Sequence, residues 1–487
     1  MKKFLYLVTM MFALTFLTDC WLFPTDNTTN SDNQKNFRRT VCEDLKVKND
    51  SGVVTLQRCY RERQFIITYT NPSDQGRIDL HAYLLGKGFL LKKTCECSEK
   101  VELWEYPVGL SPDTDDIKIK SGGSGGNMIF NYTVTEIIDS NKTPLERLRK
   151  PEPSIQLTDK QPQSTSSSDS VLLAVEDSGV DHPANRLLSP PSMPRLSHLV
   201  NNSGASYCSN STILEGQVGM NILRNTDGEP SSEPLDIDGH GTFIGGIVAG
   251  LSEPNGTHVG DDLNVNIKQL HVRFMRSRDN TGDLFSALCG IHYAIKKGAK
   301  IINASWRVLS KPTDEIAVKA AFYPTMNDVK AADVLLVAAA GNDRLNLDKE
   351  GKAWPAAFAK DKTINDYTGN VLSVGAWNGH PDSTRVCHFS NFGSFVDLYT
   401  VGTRVISTGL SNAVLMGEGT SYATPFVARS AAILRGLPQG KTPLTAAVIK
   451  AYIKTSADNR PRYKTSRDKI LLHNHTTIVA NRSSLGL

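Results

Sequence analysis

Val171-Leu172-Leu173-Ala174-Val175-Glu176-Asp177-Ser178-Gly179-Val180 is an apolar run that ends in two acids and a Ser-Gly turn. A short run with no polar break suits a strand covered on both faces, because side chains pointing either way avoid water. Short, mostly apolar runs recur at 265–272, 301–304, 334–339, 371–374 and 401–407. Helical stretches lie between several of them, at 283–297 and 315–332. This alternation predicts an α/β fold, a mostly parallel sheet with helices on both faces. No repeat of 20–50 residues interrupts it.

The rest of the chain is read outward from that domain, which extends over 171–460. The chain has 487 residues, 39% of them hydrophobic, enough for a substantial core. A net charge of +4 is far from the concentrated basic charge of a nucleic-acid binder. Charged residues at 21%, with 37 glycines and 23 prolines, exclude wholesale disorder and fibrous repeats. After the first 24 residues no apolar run reaches 18, which excludes a multi-span membrane protein. Lys2 and Lys3, the apolar stretch 4–17 and the polar Thr18-Asp19-Cys20 have the form of an export signal over 1–20. The protein is therefore expected to be secreted or extracytoplasmic. Cys20 stands where lipoprotein signals carry their lipidated cysteine, so a lipid there is the one expected membrane link.

Residues 40–110 form a second, small α+β unit. Phe65-Ile66-Ile67-Thr68-Tyr69 reads as a strand, 74–85 as a helix, and 89–91 and 101–104 as further strands. Residues 111–170 read as a linker: Ser121-Gly122-Gly123-Ser124-Gly125-Gly126, the later Pro151, Pro153 and Pro162 and a serine-rich end cannot bury enough apolar surface to order themselves. A tail follows at 461–487, after a helix at 443–455. Of the eight cysteines, Cys42, Cys59, Cys95 and Cys97 form a local group with three possible pairings. Cys208, Cys289 and Cys387 are scattered and read as small buried residues rather than a framework. A zinc site at the group of four stays open, but it lacks the paired two-residue spacing that makes such a reading specific.

Four segments carry chemistry. Asp177 lies just past a strand. Asp238-Gly239-His240-Gly241-Thr242 precedes a helix. Val337-Ala338-Ala339-Ala340-Gly341-Asn342 puts an amide at a strand end, and Gly417-Glu418-Gly419-Thr420-Ser421-Tyr422-Ala423-Thr424-Pro425 puts a serine at the start of a helix. Taken singly, the first three are ordinary turns and caps. The serine block is more specific: Gly-Thr-Ser-x-Ala-Thr-Pro fixes six positions, a chance match in roughly one of 10⁴ to 10⁵ such chains. Ligands gather outside the carboxyl ends of parallel strands, so Asp177, His240, Ser421 and Asn342 can converge there.

Over about 171–437 the chain resembles the subtilisin-like (subtilase, peptidase S8) family of serine endopeptidases, whose chain order is Asp, His, Ser. The resemblance implies that Ser421 is the nucleophile, His240 its base, Asp177 the orienting acid and Asn342 the oxyanion-hole side chain. It implies substrate binding along Ser305, Trp306, Ala339, Ala340 and Gly341, with polypeptides as substrates. The unit at 40–110 resembles the inhibitory propeptide of these enzymes, a partner removed by self-cleavage between 110 and 170. No cofactor is expected; a structural Ca²⁺ is implied by the resemblance alone.

Three departures stand out. Trp306 and Arg307 replace small residues, which would narrow or recharge the pocket unless both side chains turn away. Residues 185–235 are an insertion expected to form a surface loop or lid. Thr400-Val401-Gly402 lacks a proline common there. Two other functions compete: a non-catalytic subtilase-like surface binding protein, and an α/β-hydrolase esterase suggested by Gly419-Thr420-Ser421-Tyr422-Ala423. The second needs its acid and histidine after the serine.

Overall fold

The computed structural model describes residues 40–49, 52–73, 75–107, 126–136, 170–181, 208, 219–223, 234–250, 265–275, 281–362, 365–379, 386–437, 444–461 and 469–472. The expected export signal, Cys20, most of the 185–235 insertion and most of the tail lie outside these residues.

The N-terminal elements are β1 (Thr40–Asn49), β2 (Gly52–Tyr69), α1 (Gln75–Gly86), β3 (Leu90–Thr94), β4 (Val101–Glu105) and β5 (Gly126–Glu136). The main domain begins with β6 (Ser170–Asp177), β7 (Gly219–Asn221), α2 (His240–Val248), β8 (Asn266–Arg273), β9 (Thr281–Asp283) and α3 (Leu284–Lys296). It continues with β10 (Ile301–Ala304), β11 (Trp306–Ser310), α4 (Glu315–Ala331), β12 (Leu335–Ala339), β13 (Lys352–Trp354) and β14 (Val371–Trp377). The last elements are β15 (Leu398–Val401), β16 (Val405–Thr408), β17 (Val414–Gly417), α5 (Thr420–Gly436), α6 (Ala446–Ser456), β18 (Asp458–Pro461) and β19 (Lys469–Leu472).

Why the central strands read as continuous apolar runs is visible in their packing. Leu172, Ala174, Ile302, Ala304, Leu336 and Ala338 join one buried cluster with residues of α3 and α4. Their neighbours Val171, Leu173, Val175, Ile301, Leu335 and Val337 join the opposite cluster with residues of α2, α5 and α6. Successive side chains point to opposite faces, so a strand covered on both must be apolar at every position. The sheet runs β18-β19-β15-β14-β12-β10-β6-β8-β7, parallel except at the β18–β19 pair. This is the predicted α/β fold.

The stretch 111–170 is more than a linker. Within it, β5 pairs antiparallel with β2 of the N-terminal unit and with β9 and β11 of the main domain. Ile129, Phe130, Tyr132, Thr133 and Val134 are the β-formers that outweigh the Gly-Ser run just before them. A single sheet, β13-β11-β5-β2-β4-β3, thus crosses from one part of the chain to the other. Polar contacts reinforce it: Arg58 ion-pairs with Glu43 and Asp314. Buried Asn131 accepts from the Phe285 N–H at 3.1 Å and donates to Gln64 at 3.0 Å.

Two further expectations change. The run at 401–407 is split between β15 and β16, because Gly402 to Arg404 turn the chain and Arg404 takes φ 52°. The cysteines pair as Cys42–Cys59 and Cys97–Cys208, so Cys208 belongs to a framework after all. Cys95, Cys289 and Cys387 are buried thiols.

Candidate active site

Strand β6 carries Asp177 to the carboxyl end of the sheet, where the first residue of α2 is His240. The imidazole Nδ1 lies 2.8 Å from Asp177 Oδ1, and both side chains are fully buried. Two glycines allow the approach. Gly179 adopts φ +116°, and a Cβ on Gly241 would lie 2.2 Å from the Gly179 carbonyl oxygen. Only a turn and a helix start without side chains can touch this closely.

Asp236, to which the sequence reading gave no role, holds the pair in place. Its buried carboxylate accepts from the N–H groups of Asp238, Gly239 and Thr242 and from the Thr242 and Ser178 hydroxyls, at 2.6–3.0 Å. Ser178 in turn accepts from the Gly241 N–H at 2.9 Å. The first N–H groups of a helix have no intrahelical acceptor, and here the Asp236 and Asp238 carboxylates and the Ser178 hydroxyl serve them. An acid four residues before the histidine was the available signal. Asp236→Ala should lower stability by about 2–4 kcal/mol, because several buried donors lose their acceptor together. Urea denaturation measures it; an unchanged midpoint would refute the role.

Ser421 is the second residue of α5, behind Gly419 and Thr420, at the positive end of a 17-residue helix. It is 1% exposed, and the ring of its neighbour Tyr422 lies 5.3 Å from the His240 ring. Pro425 has no N–H to offer the Ser421 carbonyl one turn back. The Ser305 hydroxyl donates to that carbonyl instead, at 2.9 Å, while accepting from Asn303 Nδ2 at 2.9 Å. The serine turn is thereby fastened to the end of β10. Asn342 faces the same turn: its Oδ1 accepts from the Thr420 N–H at 2.9 Å and the Thr420 hydroxyl at 2.8 Å. That assignment makes the amide nitrogen its donor end. Gly341 donates to Thr420 Oγ1 at 3.2 Å, and Ala339 and Ala340 are fully buried behind it.

One edge of the site is lined by β11, where Trp306 pairs with Glu136 and Arg307 with Thr135 of β5. The Trp306 side chain turns away from that edge, whereas Arg307 reaches across to the Gly341 segment, its Cδ 3.2 Å from where a Cβ on Gly341 would stand. The buried Trp306 indole donates to Glu176 at 3.1 Å and meets Phe274 edge-on, and Arg307 is ion-paired with Asp343. Burial pushes the Glu176 carboxyl well above its ordinary range, with the charge of Asp177 adding to the rise and the Trp306 bond opposing it. The folded protein therefore holds a proton there that the unfolded chain releases, so this group costs stability as pH rises from the unfolded value toward the folded one. Glu176→Gln should remove up to about 1.4 kcal/mol of that loss per pH unit. Thermal unfolding at pH 5 and pH 8 checks it: the variant's advantage must grow at the higher pH.

For His240, burial pulls the imidazole down, but the Asp177 charge and hydrogen bond, with Asp238 and Asp236 beyond, leave it above its ordinary value. Among the described residues no group of three or more His, Cys, Asp or Glu side chains could hold a metal ion. No helix among them is long and apolar enough to cross a membrane.

The peptidase S8 Subtilase family model matches residues 168–474. The chain is 32% identical over 252 residues to a cell wall-associated protease of Bacillus subtilis (strain 168), covering 52% of this chain and 25% of that protein. It is 31% identical over 227 residues to a thermophilic serine proteinase of Bacillus sp. (strain AK1), covering 46% of this chain and 48% of that one. The chain thus spans half or less of these relatives. Fervidolysin from Fervidobacterium pennivorans, a keratinolytic enzyme related to subtilisin, has a similar fold, with a TM-score of 0.58 and 16% identity. That likeness covers 90% of this chain and 64% of fervidolysin.

Proposed function

This chain belongs to the subtilase family, and on that premise we propose that it is a secreted serine endopeptidase, made as a zymogen that cuts itself. The observation that carries the reading is the 2.8 Å contact of Asp177 with His240, beside the helix turn of Ser421. A serine hydroxyl is a poor nucleophile at neutral pH and needs an adjacent neutral imidazole to take its proton during attack. His240 does this and then passes the proton to the leaving amine. Asp177 fixes the imidazole tautomer and stabilises its charged form. The oxyanion that forms on the former carbonyl is met by the Ser421 backbone N–H and the Asn342 amide nitrogen. Both are oriented before reaction, which is how such donors lower a barrier. Water then repeats the sequence on the acyl-enzyme.

The zymogen reading is supported by β5. It lies antiparallel between β9 and β11 and reaches the strand edge next to Ser305, as an extended substrate adds a strand to a sheet. The N-terminal unit, as propeptide, thereby occupies the acyl side of the cleft with its own chain. The first bonds beyond Glu136 are the ones to be cut. N-terminal sequencing of the mature fragment should find its start within a few residues of Glu136. An unprocessed wild-type chain that also resists a fluorophosphonate probe at Ser421 would leave a binding-only protein.

The pH dependence follows from His240. The base must be neutral, and its raised pKa puts the acid limb of kcat/KM above about pH 6.5, the ordinary histidine value. Asp238→Asn should move that limb downward, since the Asp238 charge contributes to the rise. The stability linked to this group has the opposite trend: it is full below the unfolded value and fades as pH climbs through the folded one.

A further inference from the structure

Two pairs of cysteines span the boundary between the N-terminal layer and the main domain. Cys97, in the turn between β3 and β4, is bonded to Cys208 of the insertion. Cys95, two residues earlier in the same turn, is a thiol hydrogen-bonded to the Cys289 thiol in the middle of α3. Both are buried, at 2% and 3% exposure, in one apolar cluster with Val101, Leu103, Phe285 and Leu288. The turn is closed by its own backbone bonds: the Cys95 N–H donates to the Val101 carbonyl at 2.9 Å and the Ser98 N–H to the Cys95 carbonyl at 3.1 Å.

We propose that Cys95 and Cys289 form a third disulfide, and that with Cys97–Cys208 it clasps the N-terminal layer to the main domain for good. Formation needs only a small-molecule disulfide such as oxidised glutathione. Two S–H bonds give one protein S–S bond, and the oxidant takes the two electrons and two protons to become two thiols. Two bonded pairs, Cys42–Cys59 and Cys97–Cys208, mark a chain that suits an oxidising compartment. Burial pushes the Cys289 thiol well above its usual range, which makes it a slow nucleophile once folded. Exchange therefore happens as the layers come together, and the finished bond resists mild reductant.

The consequence concerns maturation and rests on the proposed function only for the position of the natural cut. Cys95 and Cys97 lie before β5, and Cys208 and Cys289 lie after residue 170. Cleavage beyond Glu136 then yields two chains that stay joined, with β5 kept near the cleft, instead of a released propeptide.

The clasp is tested without any self-cleavage. In Ser421→Ala protein, a recognition sequence for a site-specific protease is inserted between Glu152 and Lys160, and the purified chain is cut there. A denaturing gel without reductant should show one species of full size, and with reductant two. Separation without reductant overturns the clasp. Adding Cys208→Ser isolates the third bond: the pieces should still migrate together, and their separation overturns it. If that variant does not fold, the uncut parent is alkylated, digested without reductant and mapped by mass spectrometry. A Cys95–Cys289 linked peptide is expected, and alkylated Cys95 and Cys289 would overturn the third disulfide.

Discussion

Ser421→Ala is expected to abolish peptide hydrolysis and self-cleavage together while leaving the fold intact. The hydroxyl oxygen is the only non-hydrogen atom removed. Its turn is held through backbone groups and through Thr420, Ser305 and Asn342, none of which needs the Ser421 side chain. Turnover should fall by about 10⁶-fold, the scale measured on a subtilisin when its serine is lost. What survives above the uncatalysed rate comes from the oxyanion donors and from binding, so it is not zero. The assay is hydrolysis of a fluorogenic peptide, with circular dichroism as the control for folding. Processing retained by the purified variant would show that another nucleophile does the work.

Asp177→Asn should cost about 10⁴-fold in kcat with little change in KM. The side chain keeps its size, so the contact with His240 is kept, but its chemistry is inverted. An amide that turns its NH₂ toward Nδ1 donates where the carboxylate accepted. The imidazole is then forced into the tautomer whose other nitrogen carries the proton and cannot take one from serine. The support for the charged imidazole is lost as well, so the acid limb should move down alongside the fall in rate. A variant within tenfold of the wild type would remove Asp177 from the mechanism.

The main domain was legible because its strands are covered on both sides: apolar runs such as 171–175 and 301–304 admit few other readings. Asp177, His240, Asn342 and Ser421 could be picked out because the serine block fixes six positions and the other three segments, each ordinary alone, stand at strand ends or helix starts in the matching chain order. Asp236 was hidden because an acid before a helix usually caps one N–H group, whereas here it gathers three N–H groups and two hydroxyls. Glu176 was quoted without a role because nothing in a linear chain reports that Trp306 stands over it. β5 was missed because a Gly-Ser run in front of it dominates composition, and its partners β9 and β11 lie more than a hundred residues away. The disulfides could not be paired because Cys208 lies 111 residues from Cys97, outside the local group of four.

The gap that β5 fills has a definite width. Strands beside one another are about 4.8 Å apart, so β9 and β11 stand roughly 9.6 Å from each other across it. An α-helix with its side chains is about 10–12 Å thick, too broad to lie there with its backbone bonded to both walls. A single stretched-out chain fits and finds donors and acceptors on either hand. Intact helices and paired strands in a target would have to melt locally before entering, so its susceptibility should track the free energy of that local opening. A tightly folded domain should be cut at frayed loops, and a heat-loosened one almost anywhere.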